Sequence, residues 1–350
     1  MRVKIGEKLK ATGKVIVTVI LVIAIVVVAA LYLTSYTAGP STPSPKKFKV
    51  ALILPGRIDD LSWNEAAYRG LAKTHEQMSD IFDFDWTEGV YNVPDVAPAL
   101  RDYAAKGYDL IIYWGAQGQD PIKEVAKDYP NIHFVIGCGW ENAPNLAICD
   151  VRLEDGAYVM GVLAGLMTKT NKIGALGGVD IAEIHRGHVA YEMGAKSVNP
   201  DVKAVNLFTG DWTDATKAKT LCLSLYREGA DIIWTSGDGI SIGLNEAAKA
   251  ARAEGLKVYV LQNEFDQNEL APDIILSGLI YDWSACFTPI IQDLADGKLS
   301  GKTYWATLAN GGLKIAPYHG LESEVPQQVK DKVNQTVNDI IAGKIVTYSE

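Results

Sequence analysis

The chain has 350 residues, 48% hydrophobic and 21% charged, which allows about two domains and excludes a disordered, collagen-like or disulfide-dense chain. Its formal net charge of −9 is unevenly divided: residues 1–47 hold Arg2, Lys4, Lys8, Lys10, Lys14, Lys46 and Lys47 against Glu7, a net of +6, leaving −15 on residues 48–350. A body that acidic, with no basic stripe, repels phosphate backbones and excludes DNA or RNA as a partner.

Residues 15–33 form an apolar run of 19 in which Thr18 is almost the only polar group. As a helix it would measure about 28 Å, close to the roughly 30 Å hydrocarbon thickness of a bilayer. The basic residues before it place the N-terminus in the cytoplasm by the positive-inside rule. The expected plan is a cytoplasmic basic tail over 1–14, a transmembrane anchor or signal over 15–36 and a proline-rich linker over 37–47. The chain would then sit in the cell membrane with its body extracellular. A cleaved signal usually has an apolar core of about 7–15 residues, and Tyr36 sits badly at the −3 position for cleavage after Ala38, so an uncleaved anchor is the favoured reading.

From Phe48 onward, short apolar runs alternate with longer amphipathic ones. Strands are expected at 49–54, 82–87, 109–113, 132–136 and 146–149, with helices at 64–79, 93–106 and 121–129. A second series follows: helix 154–168, strand 172–176, helix 183–198, strand 202–207, helix 213–228, strand 231–235, helix 240–254, strands 257–261 and 274–280, and helix 283–296. Continuous apolar strands in βα alternation imply an α/β chain with doubly wound parallel sheets. Ten strands are too many for one comfortable open sheet and suit two five-stranded lobes, with the break near Cys149-Asp150-Val151.

Sheets of this class present ligand groups at the carboxyl ends of their strands. Six of the eight tryptophans (Trp63, Trp114, Trp140, Trp212, Trp234 and Trp283) lie at such ends, interleaved with carboxylates. Flat rings beside fixed carboxylates suit a planar heterocycle bearing N–H donors. A Trp at a strand end also serves as an apolar plug, because Trp is usually largely buried.

Catalytic patterns are weak. His185 and His188 are spaced i, i+3 without a third-ligand pattern, and read as solvated polar residues near a hinge. Gly237-Asp-Gly239-Ile-Ser-Ile-Gly243 has the wrong spacing for a dinucleotide turn. No phosphate-binding loop, nucleophile elbow or Cys–His pair is visible. The expectation is a protein that is not an enzyme and has no cofactor and no metal. Cys138, Cys149, Cys222 and Cys286 show no framework spacing and are expected as free buried thiols.

The stretches Asp60-Leu-Ser-Trp-Asn64, Tyr108-Asp-Leu-Ile-Ile112, Glu154-Asp-Gly-Ala-Tyr-Val-Met-Gly161, Lys172-Ile-Gly174, Lys196-Ser-Val-Asn-Pro200, Gly229-Ala-Asp-Ile-Ile233, Leu270-Ala-Pro272 and Ala316-Pro317, in this order, resemble the basic membrane protein family of ABC-transporter solute-binding proteins. The resemblance covers essentially all of Phe48–Tyr348. It implies a two-lobed type I periplasmic-binding-protein fold with three crossings between lobes. Lobe 1 would be 48–151 plus 265–282, lobe 2 would be 152–264 plus 283–315, and 316–350 would pack on them as a C-terminal extension.

The family's ligands include purine nucleosides and bases. Its pocket aromatic after the first strand matches Trp63, followed by Asn64, and its acidic position after the strand ending at Leu261 matches Glu264. The family's Asp after the strand ending near Ile136 is replaced by Cys138, and the Lys of its nucleoside-binding members is replaced by Tyr281.

The expected function is an extracellular receptor that closes around a purine nucleoside or base and delivers it to an ABC permease and ATPase, working as a monomer. A membrane-anchored sensory ectodomain and an extracellular nucleoside-processing enzyme are the alternatives. Trp63 and a second ring from Trp212, Trp234 or Trp283 would stack the heterocycle. Asp60, Asn64, Asp238 and Glu264 would hydrogen-bond its edge, with Trp114, Gln117 and Tyr281 completing the set.

Overall fold

The computed structural model describes residues 20–32, 46–237 and 239–348. The chain divides into two units, Met1–Lys46 and Lys47–Glu350. In the first, residues 20–32 form helix α1, with exposed side chains. The rest of the expected membrane span, with the basic tail and most of the linker, lies outside the described residues. Among the described residues no helix is long and apolar enough to cross a membrane.

The second unit is built on two six-stranded sheets. In the first sheet, β1 (Phe48–Ile53), β2 (Phe82–Thr87), β3 (Leu110–Tyr113), β4 (His133–Gly137), β5 (Leu146–Val151) and β11 (Thr303–Ala306) run in the order β11-β5-β4-β3-β1-β2, all parallel. Helices α2 (Trp63–Gln77) and α9 (Ser284–Ala295) pack against each other over one face, and α3 (Val93–Ala105) and α4 (Gln119–Asp128) over the other.

The second sheet runs β12-β10-β9-β8-β6-β7, from β6 (Lys172–Gly177), β7 (Lys203–Phe208), β8 (Ile232–Ser236), β9 (Tyr259–Gln262), β10 (Ile275–Tyr281) and β12 (Leu313–Ile315). Helices α5 (Leu153–Met167) and α6 (Ala182–Val198) cover one face, and α7 (Ala215–Arg227) and α8 (Ile240–Ala253) the other. The α5–α6 packing is very close. A Cβ on Gly161 would come within 2.0 Å of the Tyr191 carbonyl oxygen, and one on Gly194 within 2.0 Å of that of Tyr158, so only glycine fits at either position.

Two expectations about the lobes are corrected. Residues 265–282 do not return to the first lobe: β10 pairs with β9 through Ser277↔Leu261 and Gly278↔Gln262. Conversely, α9 and β11, expected in the second lobe, belong to the first. The chain does cross three times, after β5, after β10 and after β11. The last crossing carries it into β12, which pairs antiparallel with β10. The sheets have six strands rather than the expected five because β11 (TYWA) and β12 (LKI) are short and carry no continuous apolar run. Residues 327–341 form α10, which packs on α5 through Val329, Val333 and Ile340.

Candidate functional site

The carboxyl ends of the two sheets meet. After β1, the loop to α2 is organised by Asp60, whose Oδ1 accepts the backbone N–H groups of Ser62 (2.9 Å) and Glu65 (3.0 Å), while its Oδ2 accepts Asn64 Nδ2 (2.6 Å). Asn64 Oδ1 in turn accepts the Gly56 N–H at 2.9 Å. Asp60 and Asn64 therefore hold the loop and the start of α2, satisfying helix N–H groups that have no partner within the helix. Their work presents Ser62 and Trp63.

Trp63 stacks on Trp114 with centroids 5.3 Å apart and planes 27° apart, and its Nε1 donates to the Trp114 carbonyl at 3.1 Å. Trp283 stands edge-on to both, at 5.3 and 4.6 Å. Trp114 and Trp283 are fully buried beneath Trp63, which keeps partial exposure. Tyr281 is edge-on to Trp283 at 5.5 Å.

In the second lobe, Trp212 lies flat over the strand ends: a Cβ on Gly178 would fall 2.4 Å from its indole and one on Gly237 3.5 Å away. Trp234 points the other way, into the core, stacked on Tyr191 at 5.4 Å. Gln117 is half-buried and folds back beside Gly115, and Trp140 is largely exposed. Asp238 lies outside the described residues.

The lobes touch directly. The Ser62 hydroxyl donates to the Glu264 carboxylate, and Gln267 Nε2 donates to the Leu61 carbonyl at 2.9 Å. Leu61, Cys138 and Glu264 all have left-handed backbones, with φ of 54°, 52° and 72°. Such conformations are uncommon in residues other than glycine and concentrate at functional loops.

Deeper in the cleft, the donor atoms of Cys138, Asp150 and Glu183 lie within 4.8 Å of one another, two from the first lobe and one from the second. Among the described residues this is the one group of three side chains that could hold a metal ion. Burial, then the Asp150 charge, pushes the Glu183 carboxyl up to about 8. Burial also raises Asp150 and, together with Glu183 and Asp150, the Cys138 thiol. Arg186 is the counter-charge, weakly shared with Glu154 at 3.7 Å. The Tyr281 hydroxyl is held un-ionised by burial, then by the charges of Glu264 and Glu183. Asn263, 2% exposed, keeps an Oδ1 without a hydrogen-bond partner.

The structure thus brings Trp63, Tyr281 and Glu264 together at the strand ends, leaves Trp114, Trp234 and Trp283 as buried core, and adds Ser62, Asp150, Glu183, Asn263 and Gln267. Asp150 lies inside β5, one residue past the strand end expected at 149. Glu183 sits at a helix start with no motif around it. His185 and His188 do not converge: His185 faces Asp180 at 3.2 Å on the surface. His188 is not solvated but buried, stacked on Phe208 and bonded to Ser236 at 2.8 Å. Of the cysteines, Cys149, Cys222 and Cys286 are buried free thiols and Cys138 is half-buried.

Comparison with known proteins agrees with this geometry. A family model described as ABC transporter substrate-binding protein, PnrA-like, matches residues 47–345. A purine-binding protein of Brucella abortus is 26% identical over 90% of this chain and 87% of its own. The ABC transporter nucleoside-binding protein BmpA of Lactococcus lactis is 29% identical over 89% and 92%. A solved ABC transporter solute-binding protein of Aeropyrum pernix superposes with a TM-score of 0.75 at 22% identity, covering 87% of this chain and 94% of that one.

Proposed function

Because the chain belongs to the Bmp family of PnrA-like ABC transporter substrate-binding proteins, we propose that it is the extracellular receptor of an ABC importer and closes on a purine nucleoside or nucleobase. The observation that carries this reading is that each lobe has a partly exposed tryptophan at its strand ends, Trp63 on the first and Trp212 on the second, while Cys138 and Asp150 of one lobe meet Glu183 of the other. A purine offers a flat face to each ring and N–H donors to Glu264, Asp150 and Glu183. The relatives named for purine and nucleoside binding support the same ligand class. Cys138 replaces an acid that the family resemblance leads one to expect, but Asp150 and Glu183 bring carboxyls to its side.

The mechanism is lobe closure about the three crossings. Ligand contacts drive it, and ill-matched ligands are rejected because each buried polar group left unpaired costs about 1–3 kcal/mol. The apolar run over 15–33 and its basic flank support tethering to the cell membrane, with delivery to a permease and ATPase.

A thermal-shift screen across bases, nucleosides, sugars and amino acids tests the ligand class. Purine bases or nucleosides are expected to raise the melting temperature by several degrees, since ligand at 100-fold its Kd adds about 2.7 kcal/mol. Stabilisation by a sugar or an amino acid alone overturns the proposal.

A further inference from the structure

Two thiols meet where the chain leaves and re-enters the first lobe. Cys149 sits on β5 two residues before that strand ends at Val151 and the chain crosses to the second lobe. Cys286 lies in the first turn of α9, just after the return crossing from β10. Both are fully buried in one apolar cluster, with Val151 and Phe287. Cys286 Sγ donates to the Tyr304 carbonyl at 3.5 Å and lies 4.0 Å from that of Asp150. Tyr304 is the β11 residue in register with Cys149, and Asp150 is the next residue along β5. The sulfur of Cys286 therefore rests beside the Cys149 position. The ligand reading uses neither thiol.

We propose that Cys149 and Cys286 are a disulfide-forming pair, a covalent staple that joins β5 to α9 beneath the hinge; the structure shows its reduced form. The other two thiols are poorer partners. Cys222 belongs to the second lobe, in a separate apolar cluster under α7. Cys138 adjoins Cys149 through a backbone hydrogen bond of 2.8 Å, but its sulfur is turned to the carboxyls of Asp150 and Glu183.

The chemistry is thiol–disulfide exchange with a disulfide oxidant such as oxidised glutathione. One protein thiolate attacks the glutathione disulfide, releasing one glutathione thiolate and leaving a mixed disulfide. The second protein thiolate then displaces the remaining glutathione. Two protein thiols lose two protons and two electrons, and one oxidised glutathione becomes two reduced molecules. In the folded chain burial, then the neighbouring sulfur, pushes the Cys149 thiol well above its ordinary range. Thiolates are the attacking species, so the bond forms during folding, before β5 and α9 close over the pair.

The test is to unfold the full chain in urea, refold it in glutathione buffers from fully reduced to fully oxidised, and trap it with an alkylating agent. Under oxidising buffer two of the four thiols should disappear, a Cys149–Cys286 cross-linked peptide should appear on mapping, and the melting temperature should rise by several degrees, reversibly on reduction. Cys138→Ser should leave that thiol loss intact and Cys286→Ser should abolish it. Four free thiols in refolded wild-type protein at every buffer, or a cross-link through Cys138 or Cys222, overturns the proposal. The wild-type measurement stands even where Cys286→Ser does not fold.

Discussion

The Ser62 hydroxyl on the first lobe donates a hydrogen bond to the Glu264 carboxylate on the second. Both residues follow strand ends, both are buried, and the backbones at Leu61 and Glu264 take left-handed conformations to bring them together. The contact is a latch across the mouth of the cleft. Ser62→Ala removes this hydrogen bond to a charged acceptor, at a cost of about 1.5–3 kcal/mol. Small-angle scattering of the ligand-free protein should show a larger radius of gyration for the variant. An unchanged radius would sink the latch.

Trp63, Trp114 and Trp283, the stacked tryptophans of the first lobe, separate by role. Trp283 is fully buried, so Trp283→Ala should cost about 3–5 kcal/mol and lower the melting temperature sharply. Trp63 lies on top of the stack and keeps a partly exposed face. Trp63→Ala should therefore lose little stability while weakening ligand binding at least tenfold by calorimetry. Equal melting temperatures for the two variants would contradict the layering.

Trp212 can lie on the second-lobe strand ends because residue 178 has no side chain. In Gly178→Ala the added Cβ, 2.4 Å from the indole, must push the ring off that surface. The expected signs are a shift in tryptophan emission and a several-fold loss of ligand affinity, with the fold retained by circular dichroism. Wild-type emission and affinity in the variant would remove Trp212 from the site.

His188 gives stability a definite pH dependence. Burial lowers its imidazole to about 4, below the ordinary 6.5, so the unfolded chain binds the proton more readily. The neutral ring's contribution is fully present above pH 6.5 and is lost as pH falls toward 4. The loss reaches about 3 kcal/mol once the folded chain is protonated as well, below about pH 4. Denaturant unfolding of wild type and His188→Gln between pH 4 and 7 should show a shallower acid slope in the variant. Parallel slopes would mean that His188 is not held neutral.

Much of the site's outline was readable in the order of residues. Strand ends could be located from the alternation of apolar and amphipathic runs, and the segments after β1, β7 and β9 display Trp63, Trp212 and Glu264. Which tryptophan is surface and which is core was not readable. Trp234 and Trp212 both follow or end apolar runs, yet one stacks on Tyr191 inside the lobe and the other covers two glycines outside it. Asp60 and Asn64 looked like ligand groups because polar residues at a strand end are chemically ambiguous. Their oxygens turn out to serve the neighbouring backbone.

The sequence by itself determined the class of architecture. Apolar runs alternating with amphipathic ones must bury strands on both faces. Only the tertiary structure decided which lobe owns β10, α9 and β11, and that Cys138 and Asp150 from one lobe meet Glu183 from the other. The physical reason is range. Periodicity reports what a residue does to its neighbours along the chain, whereas the cleft joins residues brought together by strand pairing and by three separate crossings, and those leave no local mark.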